Sequence, residues 1–192
     1  MKERLKNLYQ DGALSPKRLL SAIAKGWVTT EDVVEIVGED NATDVIRSAK
    51  IAEISATCNA VIVAGIDIQL GEETEHFNLS IEDQSNIANL FRVVELGGTQ
   101  FPYQADGGVC RIYTAQEIAQ IYIAAQTAIT SQTTYHNALK AYVQSLTDVE
   151  DISAVTYGMA LPAEYAAEMN AKLGVAQAQM EAIVARLNGQ EG

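Results

Sequence analysis

The most regular hydrophobic pattern in the chain lies in its second half. Over residues 115–146, apolar or small side chains recur at alternating steps of three and four positions, beginning with Ile118, Ile121 and Ala125. A seven-residue repeat sustained over this length predicts a long helix with one face that packs against a partner. An Ala-rich segment over residues 163–188 repeats the spacing and predicts a matching helix. Its repeat positions are Met169, Leu173, Ala176, Met180, Ile183 and Leu187.

The sequence leaves open whether these two helices pair with each other. They can close within one chain across the connector over residues 147–162, or each can pair with a neighbouring copy. Gln132 is a polar residue at a core position of the first repeat, and such residues fix the register of oligomers. We therefore expect a homo-oligomer with contacts at aromatic and apolar positions. The predicted interface residues are Trp27, Tyr103, Gln132, Tyr135, Tyr142, Leu173, Met180 and Leu187.

Two β-hairpins are predicted in the middle of the chain. Residues 61–70 become strand-like, with apolar and polar side chains alternating at their end, and residues 76–79 return after a Gly-Glu-Glu turn. Residues 100–104 and 109–113 flank a second turn that contains two consecutive glycines. Period-two alternation on both sides of a glycine-containing turn is typical of antiparallel strand pairs.

A helix cap follows each predicted hairpin. Ser80 precedes the acidic Asp83 by three positions, and Thr114 precedes Glu117 by the same distance. In a capping box the hydroxyl and the carboxylate satisfy free amides of the first helical turn, so helices are predicted from residue 81 and from residue 115. Another helix is predicted before the first hairpin, over residues 42–60. Its expected inner face consists of Val45, Ala49, Ala52 and Ala56.

The first 40 residues predict three short helices arranged around one tryptophan. Ser15 and the following proline form a start signal for the second helix, and Thr29 starts the third, which ends at Gly38. Trp27 and Val28 lie between the second and third helices, where we expect both to fill the corner. Because 40 residues bury too little apolar surface to fold alone, this part is expected to dock onto something else.

The predicted fold class is therefore α+β and dominated by helices. It comprises an N-terminal three-helix clamp, a helix with two small hairpins, a long heptad-patterned helix and an Ala-rich C-terminal helix. We expect three segments along the chain: residues 1–40 as a docking module, residues 41–146 as a helix and hairpin module, and residues 147–192 as a connector with the last helix.

Charge restricts the classes of partner. The formal net charge is −12 and the isoelectric point is about 4.5, which opposes binding to nucleic acid and to anionic membranes because both are polyanions. Residues 1–40 carry six basic and seven acidic residues, whereas residues 51–113 carry two basic and nine acidic ones. The start of the chain has no apolar run typical of a secretory signal, so we expect synthesis in the cytoplasm with reduced cysteines.

Candidate chemistry is sparse. His76 and His136 are the two histidines, one in a predicted strand and one in a predicted helix, and a metal pair would require the fold to unite them. Glu72, Glu73 and Glu75 with Asp67 could hold a calcium ion, but they lack the spacing of a calcium loop, so we interpret them as a solvated acidic turn. Glu82 and Asp83 are explained by the helix dipole, and Cys58 and Cys110 by burial as small apolar side chains. We expect no catalytic residue, cofactor or metal.

Two stretches carry a resemblance to known families. Residues 9–12 (YQDG), 26–32 (GWVTTED) and 35–38 (EIVG) resemble the small XkdX-like proteins encoded among phage tail genes. Residues 77–87 (FNLSIEDQSNI) and 113–117 (YTAQE) resemble the phage tail-associated DUF4376-like family of unknown function. Both resemblances imply assembly of a phage tail or baseplate and no known chemistry.

Three functions follow as hypotheses. The first is a non-enzymatic virion protein of the tail tip, baseplate or tail fibre, located in the virion tail and, during assembly, in the host cytoplasm. Its partners would be other tail or baseplate proteins. The second is an assembly chaperone for the tail fibre or baseplate, which would leave the finished particle. The third is an acidic mimic of DNA that inhibits a nuclease, motivated by the charge of −12.

Overall fold

A computed structural model describes residues 1–189, without the side chains of residues 16, 17, 20, 40 and 188. The fold is α+β and dominated by helices, as the sequence predicts. In chain order the elements are α1 Lys2–Gln10, α2 Pro16–Ala24, α3 Thr30–Val37, α4 Glu39–Val63, β1 Ile66–Leu70, β2 Glu73–Phe77, α5 Ile81–Glu95, β3 Gln100–Tyr103, β4 Arg111–Thr114, α6 Ala115–Ser145, α7 Val149–Ala154 and α8 Ala163–Asn188.

Both predicted hairpins are present as two-stranded antiparallel sheets. In the first, Ile66 lies opposite Phe77 and Leu70 opposite Glu73, so only Gly71 and Glu72 form the turn. Gly71 has a φ of +65°, a conformation that costs glycine little. The second hairpin pairs β3 with β4, although β4 begins two residues later than expected. Along β1 and β3, buried or half-buried side chains alternate with exposed ones, so one face of each hairpin is directed toward the core.

Local hydrogen bonds set the starts of the capped helices. Complete capping boxes are present at Thr29 with Asp32 and at Ser80 with Asp83. Thr114 and Glu117 exchange equivalent bonds at the start of α6. The predicted helix start is confirmed, with Ser15 at the N-cap position and Pro16 in the first turn of α2, but the Ser15 hydroxyl makes no capping hydrogen bond. Pro16 lacks an N–H in that turn, so fewer donors need a cap there.

The helix before the first hairpin differs from the prediction in its bounds and in its buried face. α4 starts at Glu39 and continues to Val63, so residues 61–63 are helical and not part of a strand. The expected small-residue face is also wrong at Ala52 and Ala56, which are exposed, whereas Val45 is buried and Ala49 is half-buried. Larger side chains remove more apolar area from water than alanine does, and they determine which face is buried. The buried residues of α4 are Ala42, Val45, Ile46, Ile54 and Cys58.

Trp27 does not fill the corner between α2 and α3. The indole is 52% exposed, and the Lys25 ammonium lies 4.7 Å from its ring centre. Val28, the other residue predicted to fill this corner, is buried at 5% exposure. The backbone N–H of Trp27 donates to the Ala22 carbonyl at 2.9 Å, which fixes the start of the loop. The expectation that this module closes around its tryptophan is therefore wrong.

The chain forms two compact units, each built from two stretches of sequence. The first comprises Met1–Thr57 and His136–Ala167, and the second comprises Cys58–Tyr135 and the chain from Glu168 onward. Residues distant in sequence thus share one core. The three-segment division by sequence remains a prediction, because it concerns independent modules and these units are defined by contacts in space.

The core of the second unit joins both hairpins to α5 and α6. Phe77, Phe91 and Tyr113 are buried in it, and the Phe91 ring stacks on Tyr122 with ring centres 4.0 Å apart. Ile118 and Ile121 of the α6 repeat are also buried there. The last helix adds to the same core, through the half-buried side chains of Ile183 and Leu187. Of the two arrangements left open by the sequence, the structure contains the one in which α8 packs within its own chain.

Candidate functional site

An apolar groove lies between α6 and α8 in the second unit. Its volume is about 740 Å³. Ile123 and Thr130 contribute from α6, and Leu173, Met180 and Val184 contribute from α8. The remaining residues along it are Gln126, Thr127, Ser131, Ala176, Gln177, Glu181 and Ala185.

Small side chains leave this groove unfilled. Ala176 of α8 and Ser131 of α6 are too short to close the space between two long helices. The groove is also nearly uncharged, because residues 118–139 of α6 contain no Asp, Glu, Lys or Arg and Glu181 is its one charged lining residue. Apolar side chains of a protein partner suit such a surface better than a charged small molecule does.

A second cleft continues the groove along the same helices. Its volume is about 440 Å³, and it shares Ile123 and Val184 with the larger groove. Thr99 and Leu187 line its far end. Nearby, the guanidinium of Arg186 on α8 pairs with Glu95 of α5 at 2.6 Å. The two clefts therefore form one apolar surface that follows α8 over its C-terminal half.

The structure brings together only some of the predicted interface residues. Leu173 and Met180 line the larger groove, and Leu187 lines the adjoining cleft. Tyr103 is half-buried and stacks against Phe77, with ring centres 6.3 Å apart. The other predicted residues lie elsewhere. Gln132 and Tyr135 are half-buried in α6, and Trp27 is exposed. The ring of Tyr142 lies in the first unit, with its centre 5.5 Å from that of Tyr165.

The best-connected polar cluster lies where β2, β4 and α6 meet. Glu75 accepts hydrogen bonds from the Arg111 guanidinium, at 3.0 Å from Nε and 2.5 Å from a terminal nitrogen, and also from the Tyr113 hydroxyl. Arg111 reaches Glu117 at 2.9 Å, and its guanidinium stacks 3.6 Å from the Tyr113 ring centre. Sequence reasoning placed Glu75 in an acidic turn and missed these partners, which lie 36 and 38 residues away.

The pKa shifts in this cluster follow from burial and pairing. Burial, followed by the hydrogen bond to Glu75, raises the pKa of Tyr113 to about 12. Burial opposes ionisation of Glu117, yet hydrogen bonds from Thr114 and Arg111 outweigh it and lower the pKa of that carboxyl. Burial also disfavours the Arg111 cation, but its bonds to Glu75 and Glu117 raise the pKa of the guanidinium overall. Two carboxylates share one guanidinium, so the cluster keeps a net negative charge, and its hydrogen bonds and ion pairs join β2 and β4 to α6.

The two histidines have separate partners. His76 contacts Asp67 at 2.8 Å through Nδ1, and this bond is the main cause of its raised pKa. His136 lies 2.9 Å from the Ser55 hydroxyl through Nε2. That hydroxyl donates to the Ile51 carbonyl at 2.6 Å, so the histidine N–H donates to Ser55. A serine whose proton is directed at a backbone carbonyl is positioned by this histidine and is not activated by it.

Residues 1–189 contain neither a cluster suited to a metal ion nor a helix suited to a membrane. No group of three or more His, Cys, Asp or Glu side chains in this part of the chain has an arrangement that could hold a metal ion. Among the helices described, none combines the length and apolar character that crossing a membrane requires.

Comparison with protein families gives one match. The model described as "Domain of unknown function (DUF4376)" matches residues 45–157, which is more than half of the chain. The match includes both hairpins, α5, α6 and α7, and it extends beyond the part in which the sequence resemblance was noted. The comparisons with curated proteins and with solved structures found no match.

Proposed function

The chain belongs to this DUF4376 family, and we propose that it is a non-enzymatic structural protein of a phage tail, acting by protein–protein assembly in the tail tip, baseplate or tail fibre. The observation that carries the proposal is the nearly uncharged apolar groove along α6 and α8. An apolar helix face of a tail or baseplate protein is the partner that this surface fits. Such a protein would reside in the virion tail and, before that, in the host cytoplasm.

The phage context rests on the sequence patterns. Residues 26–32 (GWVTTED) resemble the XkdX-like proteins of phage tail gene clusters, and they lie outside the segment matched by the family model. In the structure this pattern coincides with the Thr29 capping box and the exposed Trp27. A capped helix start beside an exposed aromatic side chain supports a docking role for the N-terminal helices.

An assembly chaperone is the second candidate, because the same open groove would suit a client helix that is later released. The DNA-mimic hypothesis has less support. Asp32, Asp83 and Glu117 satisfy helix starts, and Glu75 is paired with Arg111. Carboxylates engaged in this way are explained by local structure and do not form a row that imitates phosphates.

The test is quantitative mass spectrometry of particles purified from the strain that encodes the protein. A structural protein is expected in the particles at a fixed copy number, whereas a chaperone is expected in the lysate but not in the particles. Absence from both the particles and their assembly intermediates would contradict the proposal.

Groove variants test the surface itself. Met180→Glu places a charge in the groove, and Thr127→Trp fills it from an exposed position, so each is expected to lower incorporation by at least about tenfold. The matched control is Val175→Glu, which changes a side chain on α8 that is 63% exposed and does not line the groove. Circular dichroism verifies that all three remain folded. Normal incorporation of both groove variants would exclude this surface as the assembly contact.

A further inference from the structure

Trp27 and Lys25 form a cationic aromatic projection on the first unit. Gly26 separates them with a φ of +65°, and the Lys25 ammonium lies over the indole at 4.7 Å. About half of the indole is exposed, which leaves a large apolar area in water. Tryptophan is enriched among the residues that contribute most to protein interfaces. We call Trp27 with Lys25 the indole knob.

An acidic cleft with an apolar floor lies in the same unit. Its volume is about 370 Å³, and the start of α3, the start of α4 and α7 enclose it. Val34, Ala42 and Val149 supply apolar surface. Carboxylates supply the negative charge around this floor, and the residues that carry them are Glu31, Glu39, Asp148 and Glu150. We call this cavity the acidic cleft.

The knob and the cleft have complementary chemistry. An aromatic side chain matches an apolar floor, and the lysine ammonium beside it matches the surrounding carboxylates. Trp27 does not line the cleft of its own chain, although Thr30, three residues further on, does. Each copy therefore presents both halves of the contact within one unit.

We propose that two copies of this chain associate reciprocally, with the indole knob of each copy in the acidic cleft of the other. A second copy is the occupant that the surface specifies, because both complementary features occur on one unit. A contact in which the same two features meet twice generates a closed, two-fold symmetric pair. This inference is independent of the proposed tail function, since it concerns self-association in solution and not incorporation into particles.

The experiment uses the full chain, in which Trp27 is the single tryptophan and thus the only source of indole fluorescence. Sedimentation equilibrium measures the mass of the chain as its concentration rises, and tryptophan emission and acrylamide quenching are measured in parallel. We expect the mass to double, the emission to shift to shorter wavelength and quenching to fall over the same concentration range. A chain that stays monomeric to about 1 mM, with unchanged quenching, would overturn the proposal.

Variants identify the contact. Trp27→Ala is expected to raise the dissociation constant at least about tenfold. Glu39→Lys with Glu150→Lys reverses part of the cleft charge and should have a similar effect, and adding Lys25→Glu to that pair should restore most of the affinity. The restoration excludes misfolding as the cause of the loss. Reversal of Glu72 and Glu73 to lysine is the control, because it makes the same change in net charge in the second unit.

Two results would count against this contact even if the chain dimerises. One is a dissociation constant that Trp27→Ala leaves unchanged. The other is a dissociation constant that the control reversal raises as much as the cleft reversal does. Either result would assign the dimer to another surface.

Discussion

At the residue scale, Tyr113 has the most demanding environment in the chain. Its side chain is 1% exposed, yet it carries a hydroxyl that must be hydrogen-bonded when buried. Glu75 accepts that bond and is itself neutralised by Arg111. The buried phenol therefore depends on a carboxylate from β2 and a guanidinium from its own strand. Loss of any one member leaves a polar group without its partner in a site of low dielectric.

This environment predicts that the free energy of unfolding falls at alkaline pH. The pKa of Tyr113 is raised to about 12 in the folded chain, against about 10 when unfolded. The contribution of the protonated phenol to the free energy of unfolding is therefore fully present below pH 10 and is lost as pH rises through 12. Between these values the Tyr113 phenol ionises readily only in the unfolded chain. Urea unfolding at pH 9 to 12 should show a steeper loss of stability for the natural chain than for Tyr113→Phe. Parallel curves would show that Tyr113 ionises normally.

Gly65 occupies a position that only glycine fits without strain. Its φ is +85°, and a Cβ at this position would lie 2.2 Å from the Phe77 carbonyl oxygen. Gly65→Ala should therefore lower the free energy of unfolding by about 2 kcal/mol or more, from backbone strain and displacement of β2. Gly12→Ala is the control, because it has a similar φ of +69° with no atom within 4 Å. Equal losses in thermal denaturation would indicate that strain alone, and not the contact, is responsible.

Sequence reasoning succeeded at this scale where the partner is local. Ser80 and Asp83 are three residues apart, so their reciprocal bonds can be predicted from spacing alone. Glu75 and Tyr113 are 38 residues apart, and their contact depends on how two hairpins meet. A signal was present in β4, because Arg111 and Tyr113 alternate and so lie on one face of the strand. That signal does not identify Glu75 as the acceptor.

At the element scale, the start of α5 is set by the capping box of Ser80 and Asp83. Ser80→Ala removes the hydroxyl that accepts from the Asp83 amide, and should lower the free energy of unfolding by about 1 kcal/mol. Ser85→Ala is the matched control, since its exposed hydroxyl bonds only the Ile81 carbonyl within the helix, and its effect should stay within about 0.5 kcal/mol. Equal effects in chemical denaturation would show that the capping box contributes nothing special.

The inner face of α4 shows why elements are easier to predict than their orientation. Several faces of this helix carry apolar residues at helical spacing, and alanines recur on the one that was predicted. Ile46 and Ile54 lie on the face that is buried, whereas Ala52 lies in solvent. Periodicity identifies a helix, but the shape of the surrounding core selects the face. Composition alone carries no information about that shape.

At the scale of the whole molecule, α8 completes the second unit. Its half-buried side chains Ile183 and Leu187 pack against the core that contains Phe91 and Ile118. The heptad spacing predicted these positions, but a seven-residue repeat is equally compatible with a partner from another chain. Only the path of the connector decides between them, and residues 147–162 have no periodicity that specifies a path. The predicted homo-oligomer remains a prediction.

Removal of α8 tests separately its role in stability and its role in self-association. A chain that ends at Pro162 lacks α8, and exposure of the second core should lower the free energy of unfolding by about 3 kcal/mol or more. It retains Trp27 and every residue of the acidic cleft, so it should still self-associate. Chemical denaturation and sedimentation equilibrium measure the two properties, with a chain that ends at Gly189 as the control. Unchanged stability would mean that α8 contributes little to that core.

The two cysteine thiols differ in solvent exposure, so the labelling rate of the buried thiol can report how often the surrounding structure opens. Cys58 is buried in α4 as expected, with its thiol 3.6 Å from the Gln132 carbonyl. The expected burial of Cys110 is wrong, because that side chain is exposed beside β4. A thiol-specific reagent should therefore label Cys110 at once, and Cys58 only when α4 separates from α6. In a Cys110→Ser chain, the remaining labelling rate would report how often this pair of helices parts under native conditions, without denaturant and without an added probe.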